Sequence, residues 1–337
     1  MTDKKLSDLS TSDDEIKVDS SKKGSKKKTS SKKTPIKKEK RSKTTLELSW
    51  PNFIQEASQR DIEKRFTKDI NKIISKYEDV LSNYCFLAIM DPESNIGAYD
   101  LDQIYNALSE LNPEHDKDIL LILLSKGGSI EPSYQISKLC KSFSKEKFVV
   151  AVPRQAKSAA TLIALGADQI HMGPLGQLGP IDPQLGGLPA LGVSQALASI
   201  ASLSEKHPGS SDMFARYLRM ALTVEQIGYC ERISNSAAQY AERLLLTKKD
   251  LSKKAPDIAR VLVYEYKDHG FVIDIEEARQ HLGSDWILDS TNEITLAEEV
   301  YKLFDLVNLF LDLYKNKRLL ILGKLDTGIL IFDKQRR

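Results

Sequence analysis

The sequence predicts a layered α/β domain built on a mostly parallel sheet. Three observations predict it. The runs YCFLAIM (84–90) and ILLILLS (119–125) are continuously apolar, as strands are when both faces of a parallel sheet are covered. Segments of helical spacing stand between such runs. Beyond residue 190 the periodicity is almost wholly helical until the end of the chain.

In chain order, residues 60–82 read as an amphipathic helix with Ile70, Ile73, Ile74 and Tyr77 near one stripe. Strand 84–90 follows, then helix YDLDQIYNALSEL (99–111), strand 119–125 and helix EPSYQISKLCKSF (131–143). KFVVAVP (147–153) is a third strand, SAATLIALGAD a helix, and QIHMG (169–173) a fourth strand. This alternation implies right-handed crossovers and a layered sheet. After 190 the strands are expected to stop. MFARYLRMALTVEQIGYCERISNSAAQYAERLLL reads as one helix, and DIEEARQHLG as a short one capped by Asp274. Two apolar runs around Asp326-Thr327-Gly328 predict a terminal β-hairpin.

The 337 residues carry a formal net charge of +2, which conceals an asymmetry. Fifteen of the 49 Lys and Arg fall in residues 1–45, against 7 of the 47 Asp and Glu, so the rest of the chain is mildly acidic. The front end lacks apolar periodicity and cannot bury enough surface to offset chain entropy. Residues 1–48 are therefore expected to form a disordered Lys/Ser-rich tail, open to weak contact with nucleic acid or an anionic membrane. Residues 49–82 form a helical segment, 83–205 the core, and 206–337 a helical C-terminal region. No apolar region follows the early lysines, so no signal peptide is expected, and no apolar run reaches the ~18–20 residues of a membrane span. Cys85, Cys140 and Cys230 have neither metal nor redox spacing; their odd count suits a reducing cytoplasm, and no metal or cofactor is expected.

Three features converge on the carboxyl ends of the strands, where open α/β sheets place their sites. Ser125-Lys126-Gly127-Gly128 directly follows a buried strand, and its glycines let backbone approach a ligand. Ser158 stands at a helix start flanked by Ala159 and Ala160, as a cap or as a nucleophile with an exposed hydroxyl. GPLGQLGPIDPQLGG (173–187) is irregular, with an edge suited to pairing an extended peptide.

In this order, SKGG … PRQAKSAATLIALGADQIHMGP … LGPIDPQ resembles the serine dehydrogenase proteinase family, a branch of the Clp-type serine peptidases related to signal peptide peptidase A. The resemblance implies a crotonase/Clp-protease-like layered β-β-α superhelix with a helical C-terminal extension, and a homo-oligomer acting on polypeptide. It implies Ser158 as nucleophile, the amides of Gly127 and Ala159 as oxyanion hole, and Gly128, Leu178 and Gly179 as substrate-binding positions. Two departures stand out. Lys157 precedes the nucleophile where the family has Met, and Asp182 occupies the place of the Clp-type histidine. A hydroxyl nucleophile still needs a base. Lys206, at a separation comparable to the lysine of related peptidases, is the expected base, with His171, His207 and His269 as further candidates. A crotonase-like acyl or thioester hydrolase and a scaffold that has lost its base are the alternative functions.

Overall fold

The computed structural model describes residues 50–185 and 188–334; the expected tail, residues 1–48, lies outside the described residues. Helices α1 (Trp50–Glu56), α2 (Gln59–Ser75) and α3 (Glu78–Leu81) precede strand β1 (Tyr84–Asp91). The expected helix over 60–82 is thus broken into α2 and α3. Helix α4 (Ala98–Leu111), strand β2 (Asp118–Ser125), helix α5 (Ile130–Phe143) and strand β3 (Phe148–Val152) follow. Next come β4 (Gln155–Ala156), α6 (Ala159–Leu165), β5 (Gln169–Met172), β6 (Gln177–Leu178), β7 (Gln184–Leu185) and β8 (Leu188–Pro189). The C-terminal part holds α7 (Ala190–Lys206), α8 (Ser211–Ala221), α9 (Val224–Leu246), α10 (Ala255–Arg260) and α11 (Ile275–Leu282). Strand β9 (Ile287–Leu288), helix α12 (Asn292–Lys315) and the hairpin β10 (Lys317–Lys324) and β11 (Ile329–Asp333) complete the chain.

The main sheet has the order β11-β10-β1-β2-β3-β5-β9, parallel from β1 to β9, with β10 and β11 added antiparallel. Side chains alternate between two apolar layers along each strand. In β2, Ile119, Leu121 and Leu123 face the layer containing α4, α5, α6 and α9, whereas Leu120, Ile122 and Leu124 face α1, α2 and α12. All eight residues of β2 are buried, which accounts for its unbroken apolar run.

Two expectations for the C-terminal half are corrected. Strands do not stop at 190 before the hairpin: β9 adds a parallel edge through Ile170–Ile287 and His171–Leu288. The long helix expected from Met213 to Leu246 is two helices, because Thr223 caps α9. Its hydroxyl accepts from Gln226 N at 3.2 Å, and Gln226 Oε1 accepts from Thr223 N at 2.9 Å. That reciprocal pair satisfies two helix-start donors and interrupts the preceding turn.

A small strip of backbone extends the sheet at its carboxyl end. Ser125 of β2 pairs with Ala156 of β4, and β4 pairs in parallel with β6. The far side of β6 is covered by Ile273 through reciprocal bonds, Leu178 N to Ile273 O at 2.9 Å and Ile273 N to Leu178 O at 3.1 Å. This strip carries the site.

Candidate active site

Strand β4 ends at Ala156 and the chain turns into α6 within two residues. Ser158 holds that turn with φ 53° and ψ −121°, a conformation costing a non-glycine residue about 1–3 kcal/mol. It stands at the N-cap position, yet its side chain makes no capping hydrogen bond. A serine selected as a cap would accept from the second or third helical amide. Ser158 Oγ is instead free of the helix and lines a cavity of about 650 Å³. Every residue of α6 from Ala159 to Leu165 is buried, so the turn is held from below by packing.

The turn after β2 lies against Ser158. Gly127 has φ +106°, and a Cβ there would lie 2.7 Å from both Ser158 Cβ and Lys157 O. Only glycine allows this approach. The amide of Gly127, expected from the sequence as an oxyanion donor, donates to Ser125 Oγ at 3.1 Å. The neighbouring amide is differently placed. Ile96 pairs with Gly128 as a parallel bridge, with Ile96 N donating to Gly127 O and Ser129 N donating to Ile96 O, both at 2.9 Å. In a parallel bridge the N–H of the residue between those two bonds points away from the partner strand. Gly128 lines the cavity with Ser158, and its N–H has no acceptor among the described residues. The same holds for the N–H of Ala159, the first residue of α6, which helix geometry leaves without an intrahelical partner.

Asp182 is 5% exposed, in the segment between β6 and β7. Its Oδ1 lies 2.7 Å from Nδ1 of His269, and its Oδ2 accepts from Gln184 Nε2 at 2.8 Å. His269 lines the same cavity as Ser158. The carboxylate accepts from Nδ1, leaving Nε2 as the basic ring nitrogen. The hydrogen bond to Asp182 holds the imidazole above the ordinary histidine value of 6.5, against the opposing effect of burial. The cavity wall is completed by Ile181 and Pro183 on one side and by Tyr229 and Ile233 of α9 on another.

The other expected site residues lie elsewhere. Lys206 is exposed in the last turn of α7 and does not line the cavity. His207 is the exposed residue following that helix. His171 lies on β5, buried, with Nδ1 2.7 Å from Thr291 Oγ1 and 3.5 Å from Glu293; burial lowers its pKa. Leu178 and Gly179, expected to bind substrate, use their backbones internally, Leu178 on Ile273 and Gly179 on Thr161 Oγ1 at 3.1 Å. Gly128, expected beside them, does line the cavity. The residue that sequence reasoning left in the background is His269. The signal pointing to it was Asp182 itself, an acid in the place where the family resemblance implies a histidine.

Among the described residues no three His, Cys, Asp or Glu come together as a metal-binding group. No helix among them is long and apolar enough to cross a membrane.

The two-layered parallel sheet with its site at the strand ends is a ClpP/crotonase-like α/β fold. Residues 60–315 match the model of the ClpP-like SDH-type serine proteinases, and the chain belongs to that family. An uncharacterised protein of Methanocaldococcus jannaschii is 32% identical over 187 residues, 56% of this chain and 59% of the relative. A second uncharacterised protein of that organism is 40% identical over 97 residues, 29% of this chain and 32% of the relative. The chain thus spans less than two thirds of the curated relatives it matches. Among solved structures, a mutant of the 1510-N membrane-bound stomatin-specific protease shows 16% identity over 67% of this chain and 85% of that one, with a TM-score of 0.40. ClpP1 from Listeria monocytogenes shows 15% identity over 66% and 99%, with a TM-score of 0.38.

Proposed function

We propose that the chain is a serine endopeptidase in which Ser158 is the nucleophile, His269 the general base and Asp182 the residue that orients it. The observation carrying this reading is the 2.7 Å Asp182–His269 pair on the cavity that holds the uncapped Ser158 hydroxyl. In the reaction, His269 Nε2 takes the Ser158 proton as Oγ attacks the scissile carbonyl, then returns it to the leaving amine. Asp182 fixes the tautomer and stabilises the imidazolium that forms. The amides of Gly128 and Ala159 receive the oxyanion, each contributing about 3–4 kcal/mol to the transition state. An extended polypeptide fits between Gly128–Ile130 and Ile181–Gln184, with apolar side chains against Tyr229 and Ile233. The scaffold alternative rested on a missing base, and His269 supplies one.

The exposed apolar residues Met213, Tyr217 and Met220 of α8 support a homo-oligomer. Three buried, unpaired cysteines support a reducing, cytoplasmic setting. Fluorophosphonate labelling followed by peptide mapping tests the nucleophile. A single adduct on Ser158, absent from Ser158→Ala, is expected; an adduct elsewhere or none at all contradicts the assignment.

A further inference from the structure

Lys157 immediately precedes Ser158, and the proposed triad gives it no role. Its side chain does not point away into solvent. The ammonium donates to Phe271 O at 2.7 Å, across 114 positions of sequence. The stem passes over Gly179, where an added Cβ would lie 2.5 Å from Lys157 Cδ. Gly179 therefore leaves the room the stem occupies. Burial pulls the Lys157 amine below the ordinary lysine value, and Asp268 opposes that shift.

Phe271 lies two residues beyond His269, in the segment between the π-helical turn Val261–Glu265 and α11. That segment is irregular, and its anchorage is confined to a few points. Tyr266 packs against Phe271 in a tilted ring contact with centroids 4.8 Å apart, and its hydroxyl donates to Glu277 of α11 at 2.6 Å. Ile273 pairs with Leu178. His269 lies between these two anchors, half-buried and hydrogen-bonded to Asp182. The bond from Lys157 ties this segment directly to the residue bonded to Ser158.

Building on the His269 assignment, we propose that Lys157 is a positioning residue that fastens the base-carrying segment to the nucleophile turn. The two catalytic groups come from distant parts of the chain, and their relative placement must hold to a fraction of an ångström. A misplacement of about 1 Å costs on the order of 100-fold in rate. Lys157 removes one freedom by which base and nucleophile would drift apart. A lysine suits the task because its long stem reaches a backbone carbonyl, a partner that no side-chain substitution in the segment deletes.

The test measures fluorophosphonate labelling rates on the full chain for Lys157→Met, Lys157→Arg, His269→Ala and the Lys157→Met/His269→Ala double variant. Lys157→Met is expected to slow labelling by roughly 10- to 100-fold. Lys157→Arg, which keeps a donor, retains most of the rate. Once His269 is gone, Lys157→Met has nothing left to position, so the double variant labels no more slowly than His269→Ala. Lys157→Met at the wild-type rate, or a full multiplicative loss in the double variant, overturns the positioning role while leaving the base assignment intact. His269→Ala at the wild-type rate overturns the base assignment, and the positioning role with it. If Lys157→Met fails to fold, Lys157→Gln, too short to reach Phe271 O, is read the same way.

Discussion

His269 Nδ1 lies 2.7 Å from Asp182 Oδ1, joining two residues 87 positions apart at the wall of one cavity. The acid stands where the family resemblance implies a histidine, and the histidine arrives from the segment after the π-helical turn. In the proposed triad, removing the imidazole removes general-base catalysis, typically 10²–10⁴-fold in rate. His269→Ala is expected to lose peptide hydrolysis to that extent, with an unchanged melting temperature. Asp182→Asn is expected to lose a comparable amount, because the amide favours the wrong tautomer. Near-wild-type hydrolysis by Asp182→Asn removes the orienting role.

The proposed triad predicts a pH profile with the same signature. The base must be neutral to accept the Ser158 proton, and Asp182 raises the pKa of His269 above 6.5. Activity is therefore expected to be lost as pH falls through that raised value, so the rising limb of kcat/KM lies above the ordinary histidine value of 6.5. Asp182→Asn removes the cause of the shift and moves the limb to lower pH. A limb that stays in place in Asp182→Asn belongs to another group.

At Gly127 a Cβ would meet Ser158 Cβ and Lys157 O at 2.7 Å, and the φ of +106° strains any other residue. Gly127→Val is expected to abolish hydrolysis and to destabilise the fold by about 1–3 kcal/mol. Calorimetry and an activity assay on the same sample check both effects. Wild-type hydrolysis by this variant would mean the nucleophile turn lies elsewhere.

Lys248 provides a test of the packing beneath α6. It is 4% exposed, donates to Gly166 O at the end of α6 at 2.7 Å, and lies 3.4 Å from Asp168. Burial lowers its pKa from 10.5 to about 8, although Asp168 opposes the shift. Lys141 and Lys138 of α5 add to the lowering. Between those values the unfolded chain binds the proton and the folded chain does not, so this group makes stability rise with pH across that window. The stability difference between wild type and Lys248→Met is expected to grow in favour of wild type from pH 8 to 10. A flat difference contradicts the lowered pKa.

Much of the sheet was legible in the sequence. Strands β1, β2 and β3 are covered on both faces, and continuous apolar runs report that burial directly. The two-residue strand β9 left no such trace, since Ile287 and Leu288 are too short a run to register. The break at Thr223 was hidden because apolar spacing continues across it, although Thr223 and Gln226 form a readable capping box. At the site, Ser158 and Gly128, which line one cavity, belong to local motifs readable in the sequence, although the reading there expected the oxyanion donor at Gly127 and a substrate-binding position at Gly128. The phase of the Ile96–Gly128 bridge decides which glycine amide faces the cavity, and that phase is set by the tertiary pairing of β2's continuation. His269 was the hardest to read. Its partner Asp182 is distant in sequence, and its segment has no periodicity to place it.

The most direct measurement compares fluorescein-casein hydrolysis by His269→Ala and by Lys206→Ala under identical conditions. The account predicts that His269→Ala falls to the level of Ser158→Ala while Lys206→Ala, altered on the exposed end of α7, hydrolyses at the wild-type rate. Loss of hydrolysis in Lys206→Ala with retention in His269→Ala would contradict it.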